Sequence, residues 1–212
     1  MKVHQKLIVV ALSALLAVAS HAAPISGFGA PVSDGALTGG TVVDFDSTTS
    51  GTYALLTYGD LKITANGPMH VGPDFNGLYN TTGGKSLFDP YSDNGGFTAW
   101  RFDFASGTNA FGFNWGAADA IWTLRAYDSS SVLLDSLALT ATGPSNAGHY
   151  FGLAAAGISY ATLTTGGGGD WVFIDRFTYN ARDTGVPDSG ATLAMLGLAF
   201  VSLACFRIRK AA

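Results

Sequence analysis

Glutamate is absent from this sequence: all fifteen acidic residues are aspartate. Only 12% of the chain is charged, while glycine occurs 28 times. Glutamate favours helices, whereas Asp, Gly, Ser and Thr favour turns, caps and strands. The balance therefore predicts an all-β body with many turns. Cysteine is nearly absent too. The single Cys205 lies in a C-terminal apolar run and excludes any intrachain disulfide. It reads as a small hydrophobe. Basic residues are scarce in the middle of the chain. Of the eleven Lys and Arg, five lie at the extremes: Lys2, Lys6, Arg207, Arg209 and Lys210. No basic patch is left to neutralise phosphates, so the composition speaks against nucleic-acid binding. Catalytic signatures are missing as well. There is no Gly-x-Ser-x-Gly elbow, no His-Glu-x-x-His pair and no phosphate loop. The expectation is a protein that is not an enzyme.

Two targeting ends stand out in the 212 residues. At the N-terminus, Lys2 and Lys6 precede an apolar run from Leu7 to Ala19, broken by Ser13. Small residues follow at Ser20-His21-Ala22-Ala23, then Pro24. At about 13 residues the run is short for a bilayer, so 1–23 reads as a cleaved signal peptide. At the C-terminus, Val186-Pro187-Asp188-Ser189-Gly190 is a polar, turn-forming pentapeptide. An apolar stretch, Ala191–Phe206, follows, and Arg207, Arg209 and Lys210 close the chain. Sixteen residues at about 1.5 Å each reach roughly 24 Å, and snorkelling arginines extend that span. The stretch reads as a single transmembrane helix, with its basic end cytoplasmic and the body outside. Pro187 stops any upstream helix, and Asp188 or Ser189 can cap the next one.

The order of motif, apolar helix and basic end in residues 186–212 resembles the PEP-CTERM class of sorting signal, in its VPDSG variant. The resemblance implies recognition of Val186, Pro187, Asp188, Ser189 and Gly190 by an exosortase-type processing enzyme. It also implies an inner-membrane precursor that ends at the cell surface or in an extracellular matrix. Such proteins accompany exopolysaccharide and biofilm production in Gram-negative bacteria. Asp188 stands where the name-giving form has Glu, which implies a matching variant of the processing enzyme.

Between the ends, residues 41–180 read as an ectodomain of short alternating strands. Residues 24–40 and 181–185 read as linkers. Strands are expected at Thr41–Asp46, Thr52–Tyr58, Leu61–Ala65, Phe97–Phe104 and Ala110–Trp115. Five more follow at Ile121–Asp128, Val132–Leu139, His149–Leu153, Ile158–Thr164 and Trp171–Tyr179. Within them Trp100, Phe102 and Phe104 alternate with Arg101 and Asp103, the period-two pattern of half-buried strands. Turns are expected at Asn66-Gly67-Pro68, Asp93 to Gly96, Ser106-Gly107, Asp128 to Ser130 and Gly166 to Asp170. The stretch from Gly67 to Gly96 has no readable pattern. The predicted architecture is an antiparallel β-sandwich of jelly-roll type. Three phrases resemble other exported PEP-CTERM proteins: Val43-Asp44-Phe45-Asp46, Phe111-Gly112-Phe113-Asn114-Trp115 and Ile174-Asp175-Arg176-Phe177-Thr178-Tyr179. The first and last also resemble jelly-roll carbohydrate-binding modules.

Two features of the body invite chemistry. Asp44 and Asp46 sit on the first strand and Asp175 on the last, and jelly-roll ends lie side by side. Hard oxygen ligands so placed suit a structural Ca²⁺; the alternative is solvent-facing or turn-bonded carboxylates. The glycine run Gly166–Gly169 before Asp170-Trp171 reads either as a loop beside a sugar-stacking aromatic or as a plain turn with a core tryptophan. His70 reads as a solvated loop residue and Asn80-Thr81-Thr82 as a turn. The leading expectation is a non-catalytic surface or matrix protein. One alternative is a carbohydrate-binding module for matrix polysaccharide; a second is a surface hydrolase working through paired aspartates.

Overall fold

The computed structural model describes residues 23–73, 84–89, 98–142, 148–166 and 170–181. The expected signal peptide (but for Ala23), the 182–185 part of the second linker, the C-terminal helix and the basic end lie outside them. Asn80-Thr81-Thr82 and the turn from Asp93 to Gly96 do too. Twelve strands run in chain order: β1 Ala23–Phe28, β2 Thr41–Val43, β3 Gly51–Tyr53, β4 Leu56–Tyr58, β5 Leu61–Ala65 and β6 Met69–Pro73. They continue as β7 Lys85–Phe88, β8 Ala99–Gly116, β9 Trp122–Tyr127, β10 Leu133–Leu139, β11 His149–Thr165 and β12 Phe173–Ala181. One 3₁₀ turn, Pro31–Ser33, lies between β1 and β2. The body is all-β and antiparallel, as the composition predicts. No helix among the described residues is long and apolar enough to cross a membrane.

The strands form one continuous sheet in the order β10-β9-β11-β8-β12-β7-β6-β3, with β1 on β11, β2 on β12, and β4–β5 on β8. Two long strands organise it. The first part of β8 pairs with β5 (Ile63↔Phe102) and its second part with β12 (Ile174↔Trp115). Likewise β11 pairs first with β1 and later with β9. Each bends midway. Gly107 and Gly157 take φ of 74° and 78°, and the β8–β11 register slips between Ala154 and Tyr160. An extra residue in left-handed conformation is how a strand kinks without losing its partners. The sequence predicts separate strands and a turn at Ser106-Gly107. Neighbouring strands pair on both sides of that point, so the chain bends there instead of turning back.

The bends bring the two halves of the sheet face to face. Phe102 lies 5.7 Å from Phe113 of its own strand and 4.9 Å from Phe177 of β12, measured between ring centroids. Phe113 and Phe177 stack at 5.5 Å, and Trp115 meets Trp122 edge-on at 5.7 Å. Leu61, Ile63, Leu124 and Leu163 complete the same core, fully buried. The alternation of aromatics in β8 is thus the inner face of the fold.

Two sequence expectations need correction here, and the stretch without a readable pattern gains strands. Residues 24–40 are not a linker. β1 pairs with β11 from Ala23↔Ala154 to Phe28↔His149. Ile25 and Leu37 form a second small core with Ala110 and Tyr150. Leu37 fits because Gly112 has no side chain: a Cβ there would lie 3.1 Å from the Leu37 methyl. The stretch 67–96 contributes β6 and β7, with Met69 and Leu87 wholly buried. Finally, the expected strand Thr52–Tyr58 is two. β3 pairs with β6 and β4 with β5, because the chain changes partner at the exposed Leu55.

Candidate functional site

The three aspartates expected to bind Ca²⁺ do not form a ligand set. β2 does pair with β12, through Val43↔Phe177, so these two strands are neighbours as expected, although the first strand of the body is β1. The carboxylates are engaged elsewhere. Asp44 Oδ1 accepts the Asp46 amide at 3.1 Å, and Asp46 Oδ1 accepts the Lys85 amide at 2.7 Å. Asp175 is 1% exposed and accepts the Arg176 amide at 2.6 Å. Among the described residues, no group of three or more His, Cys, Asp or Glu is placed to hold a metal. Asp44 bonds the backbone two residues on, an Asx turn, while Asp46 is drawn to the Lys85 amide of β7 and Asp175 is buried within β12.

Asp170 also has a structural use. Its carboxylate accepts the Asp119 amide at 3.1 Å, the Ala120 amide at 3.1 Å and the indole Nε1–H of Trp122 at 2.9 Å. It therefore ties the β8–β9 connection to the start of β12. Of the glycine run, 167–169 lie outside the described residues. Trp171 is half-buried, 5.3 Å from the Phe173 ring, so it is neither a free platform nor a core residue. His70 is not a solvated loop residue. It sits in β6, with Nε2 3.1 Å from the Thr52 hydroxyl and its ring 5.7 Å from Phe88.

A cleft lies where β2 leaves the sheet beside the β4–β5 hairpin. Its volume is about 240 Å³. Val43, Phe45 and Tyr179 are its buried wall; Thr41, Val42, Asp44 and Ser47 form an exposed rim; Tyr58 and Gly59 close the side. The hairpin loop is Gly59-Asp60, with Tyr58 opposite Leu61. Gly59 takes φ of 57°, as the first residue of a tight two-residue loop requires. Tyr179 Oη donates to the Tyr58 carbonyl at 3.2 Å, and the Tyr58 and Thr48 hydroxyls lie 2.8 Å apart. Burial pushes both tyrosine hydroxyls above the usual value; for Tyr179 the nearby Asp60 charge adds to this. Both stay protonated at neutral pH and can donate as well as accept. The lining carries the Asp44 carboxylate and no Lys, Arg or His.

The backbone at this cleft is unusual. Phe45 has φ of 60° while its ring is 1% exposed and meets Tyr58 edge-on at 5.5 Å. A bulky residue in the left-handed region costs on the order of 1–3 kcal/mol, and surrounding structure must enforce it. Across β12, Arg176 has φ of 44°, inside a register slip between Asp175 and Thr178. The phrase Val43-Asp44-Phe45-Asp46 did point to this place, but for a metal. The cleft itself had no sequence signal, because Tyr58, Gly59 and Tyr179 come from distant segments.

A second surface feature lies on the outer side of the β8–β11–β9 region. Tyr127 and Tyr160 stack at 4.8 Å, and the Arg101 guanidinium covers Tyr160 at 3.8 Å. Arg101 also pairs with Asp103 at 2.7 Å. The Tyr160 ring is thus covered by Tyr127 and by Arg101.

Residues 185–210 match the model of the VPDSG-CTERM motif. No curated protein matches the chain. Among solved structures, a mutant of a family 29 carbohydrate-binding module is similar at 13% identity and TM-score 0.34, covering 70% of this chain and 97% of that one. An arabinose-bound GH51 α-L-arabinofuranosidase is similar at 15% identity and TM-score 0.44, over 76% of this chain and 30% of that one. The enzymatically active domain of a bacteriophage tailspike protein gives 15% identity and TM-score 0.35, over 65% and 21%. At these scores the likenesses say nothing about ligand or chemistry.

Proposed function

We propose that the chain is an exported, non-catalytic surface or matrix protein, sorted through its C-terminal signal. The observation that carries this reading is the match of residues 185–210 to the VPDSG-CTERM motif. The apolar run and basic end after Pro187-Asp188-Ser189-Gly190 suit a membrane-held precursor, and an exosortase-type enzyme is the processing partner. The body is a jelly-roll-like sandwich: two halves of one antiparallel sheet share an aromatic core. Its well-placed carboxylates at Asp170 and Asp175 serve backbone and indole donors, which favours a scaffold over a hydrolase. A second reading gives the body a polysaccharide ligand, and the Asp44–Tyr179 cleft is the observation in its favour. Sorting is tested by changing Pro187, Asp188 and Gly190 together to alanine. The variant should accumulate as an unprocessed, membrane-retained precursor by mass analysis. Normal maturation of that variant would sink the reading.

A further inference from the structure

We propose that the cleft between β2 and the β4–β5 hairpin binds one ring of an uncharged sugar, as a residue of a neutral polysaccharide. The proposal rests on the reading of the body as a binding protein and names the site and ligand class. Three observations carry it.

The first is chemistry. The cleft offers hydroxyls from Thr41, Ser47, Tyr58 and Tyr179 and one carboxylate from Asp44. Tyr179 gives its proton to the Tyr58 carbonyl and the Tyr58 hydroxyl is bonded to Thr48, so each tyrosine oxygen has one bond fewer to offer than a free hydroxyl, and the Asp44 carboxylate, with Oδ1 on the Asp46 amide, acts as acceptor. That matches a ligand whose rim is hydroxyl groups. With Asp44 present and no cation in the lining, phosphate, sulfate and uronate ligands are disfavoured. Val42, 43% exposed, supplies apolar surface for the C–H face of a ring.

The second is size. At about 240 Å³ the cleft falls below the range of about 300–1,000 Å³ typical of drug-sized ligands. It admits one ring and leaves neighbouring sugars in solvent.

The third is the backbone. Phe45, in the cleft lining, takes a left-handed φ of 60°. Enforced outliers of this kind gather where side chains must be aimed at something. The Tyr127–Tyr160–Arg101 ladder lacks this combination, with the Tyr160 ring covered by Tyr127 and Arg101.

The test uses affinity gels containing galactomannan, β-1,3-glucan or dextran as neutral probes and alginate as the anionic one, with the full-length protein in detergent. Wild type should be retarded by at least one neutral gel and not by alginate. Val42→Trp, which fills the rim from an exposed position, should weaken retardation roughly tenfold or more, the effect of one well-formed contact set. Ser47→Trp, from the other side, should do the same, which guards against misfolding of either variant. Asp44→Asn keeps the oxygen that accepts the Asp46 amide and should weaken binding less. Tyr160→Ala should bind like wild type. Equal retardation of wild type and both tryptophan variants, or loss in Tyr160→Ala alone, removes the site from this cleft. No retardation by any neutral gel, or retardation by alginate alone, overturns the ligand class. None of these results bears on sorting, which the Pro187 variant tests separately.

Discussion

Replacing Asp170 with alanine should be among the most damaging single changes in the body. The carboxylate serves three donors, and they differ in their access to water. Trp122 is fully buried, so its Nε1–H, 2.9 Å from Asp170 Oδ2, has no solvent to turn to. Stranding one buried donor costs about 1–3 kcal/mol. The amides of Asp119 and Ala120 lie at an exposed and a half-buried residue, so water can replace the carboxylate there. Their charge-assisted bonds then lose on the order of 0.5–1 kcal/mol each, less than such bonds are worth in a dry site. The sum is about 2–5 kcal/mol, which for a body of this size lowers Tm by roughly 5–20 °C. Asp170→Asn keeps one acceptor oxygen but turns an N–H₂ toward a donor, and should cost about 1–3 kcal/mol. Trp122→Phe removes the indole donor. Combined in a double-mutant cycle with Asp170→Ala, it should show a coupling of about 1–3 kcal/mol. Urea unfolding followed by far-UV circular dichroism measures all three without relying on tryptophan emission. A loss below about 0.5 kcal/mol for Asp170→Ala, the range of an ordinary surface change, would refute the clamp.

Two further outcomes follow from the fold. Leu37→Ala should cost about 2–4 kcal/mol, as for a buried leucine, since Leu37 is fully buried over Gly112; a denaturation midpoint unchanged from wild type would return residues 24–40 to linker status. Alkaline pH should unfold the protein as tyrosines ionise. Burial raises Tyr58, Tyr150 and Tyr179 above 10.0 in the folded state, so their contribution is intact below the unfolded value and is lost as pH climbs through the folded ones. Tyrosinate absorbance at alkaline pH should therefore rise in step with loss of the β spectrum, and ionisation of all tyrosines near pH 10 in a still-folded protein would contradict it.

The strand class was legible because the pattern was local. Trp100, Phe102 and Phe104 alternate with polar partners, and β8 buries that face. β5 was readable to the residue, Leu61–Ala65, because a turn bounds it on each side. What failed were segments whose structure depends on distant partners. Residues 24–40 carry the Gly, Pro, Ser and Asp of a linker, and they do form turns: Pro31–Ser33 is a 3₁₀ turn, and Asp34 Oδ1 accepts the Ala36 amide at 2.9 Å. Yet β1 is held by β11, over one hundred residues later in sequence, and no window along the chain contains both. The breaks at 105–109 and 154–157 misled for a related reason. A glycine with positive φ punctuates a hairpin and a bulge alike, and only continuation of the neighbouring strands tells them apart.

The candidate site divides along the same line. The sorting signal could be read from sequence because its parts are contiguous, and its chemistry is carried by the order of residues. The aspartates near β2 were noticed, and their meeting with β12 was anticipated, but their use was not. An Asx oxygen 3.1 Å from the next amide but one is a local preference that competes with any shared ligand. With Asp46 bonded to the Lys85 amide and Asp175 buried, Asp44 is the one carboxylate of the three in the cleft lining, too few for an ion that takes six to eight oxygens. It is enough for a ligand that needs one strong acceptor among several hydroxyls. Within the same turn Phe45 takes φ of 60°, with its ring against Tyr58 and Asp44 at the surface. A bulky residue in that region has no sequence signature, since nothing local favours it. Long-range pairing of Val43 with Phe177 fixes the strand that leads into this turn.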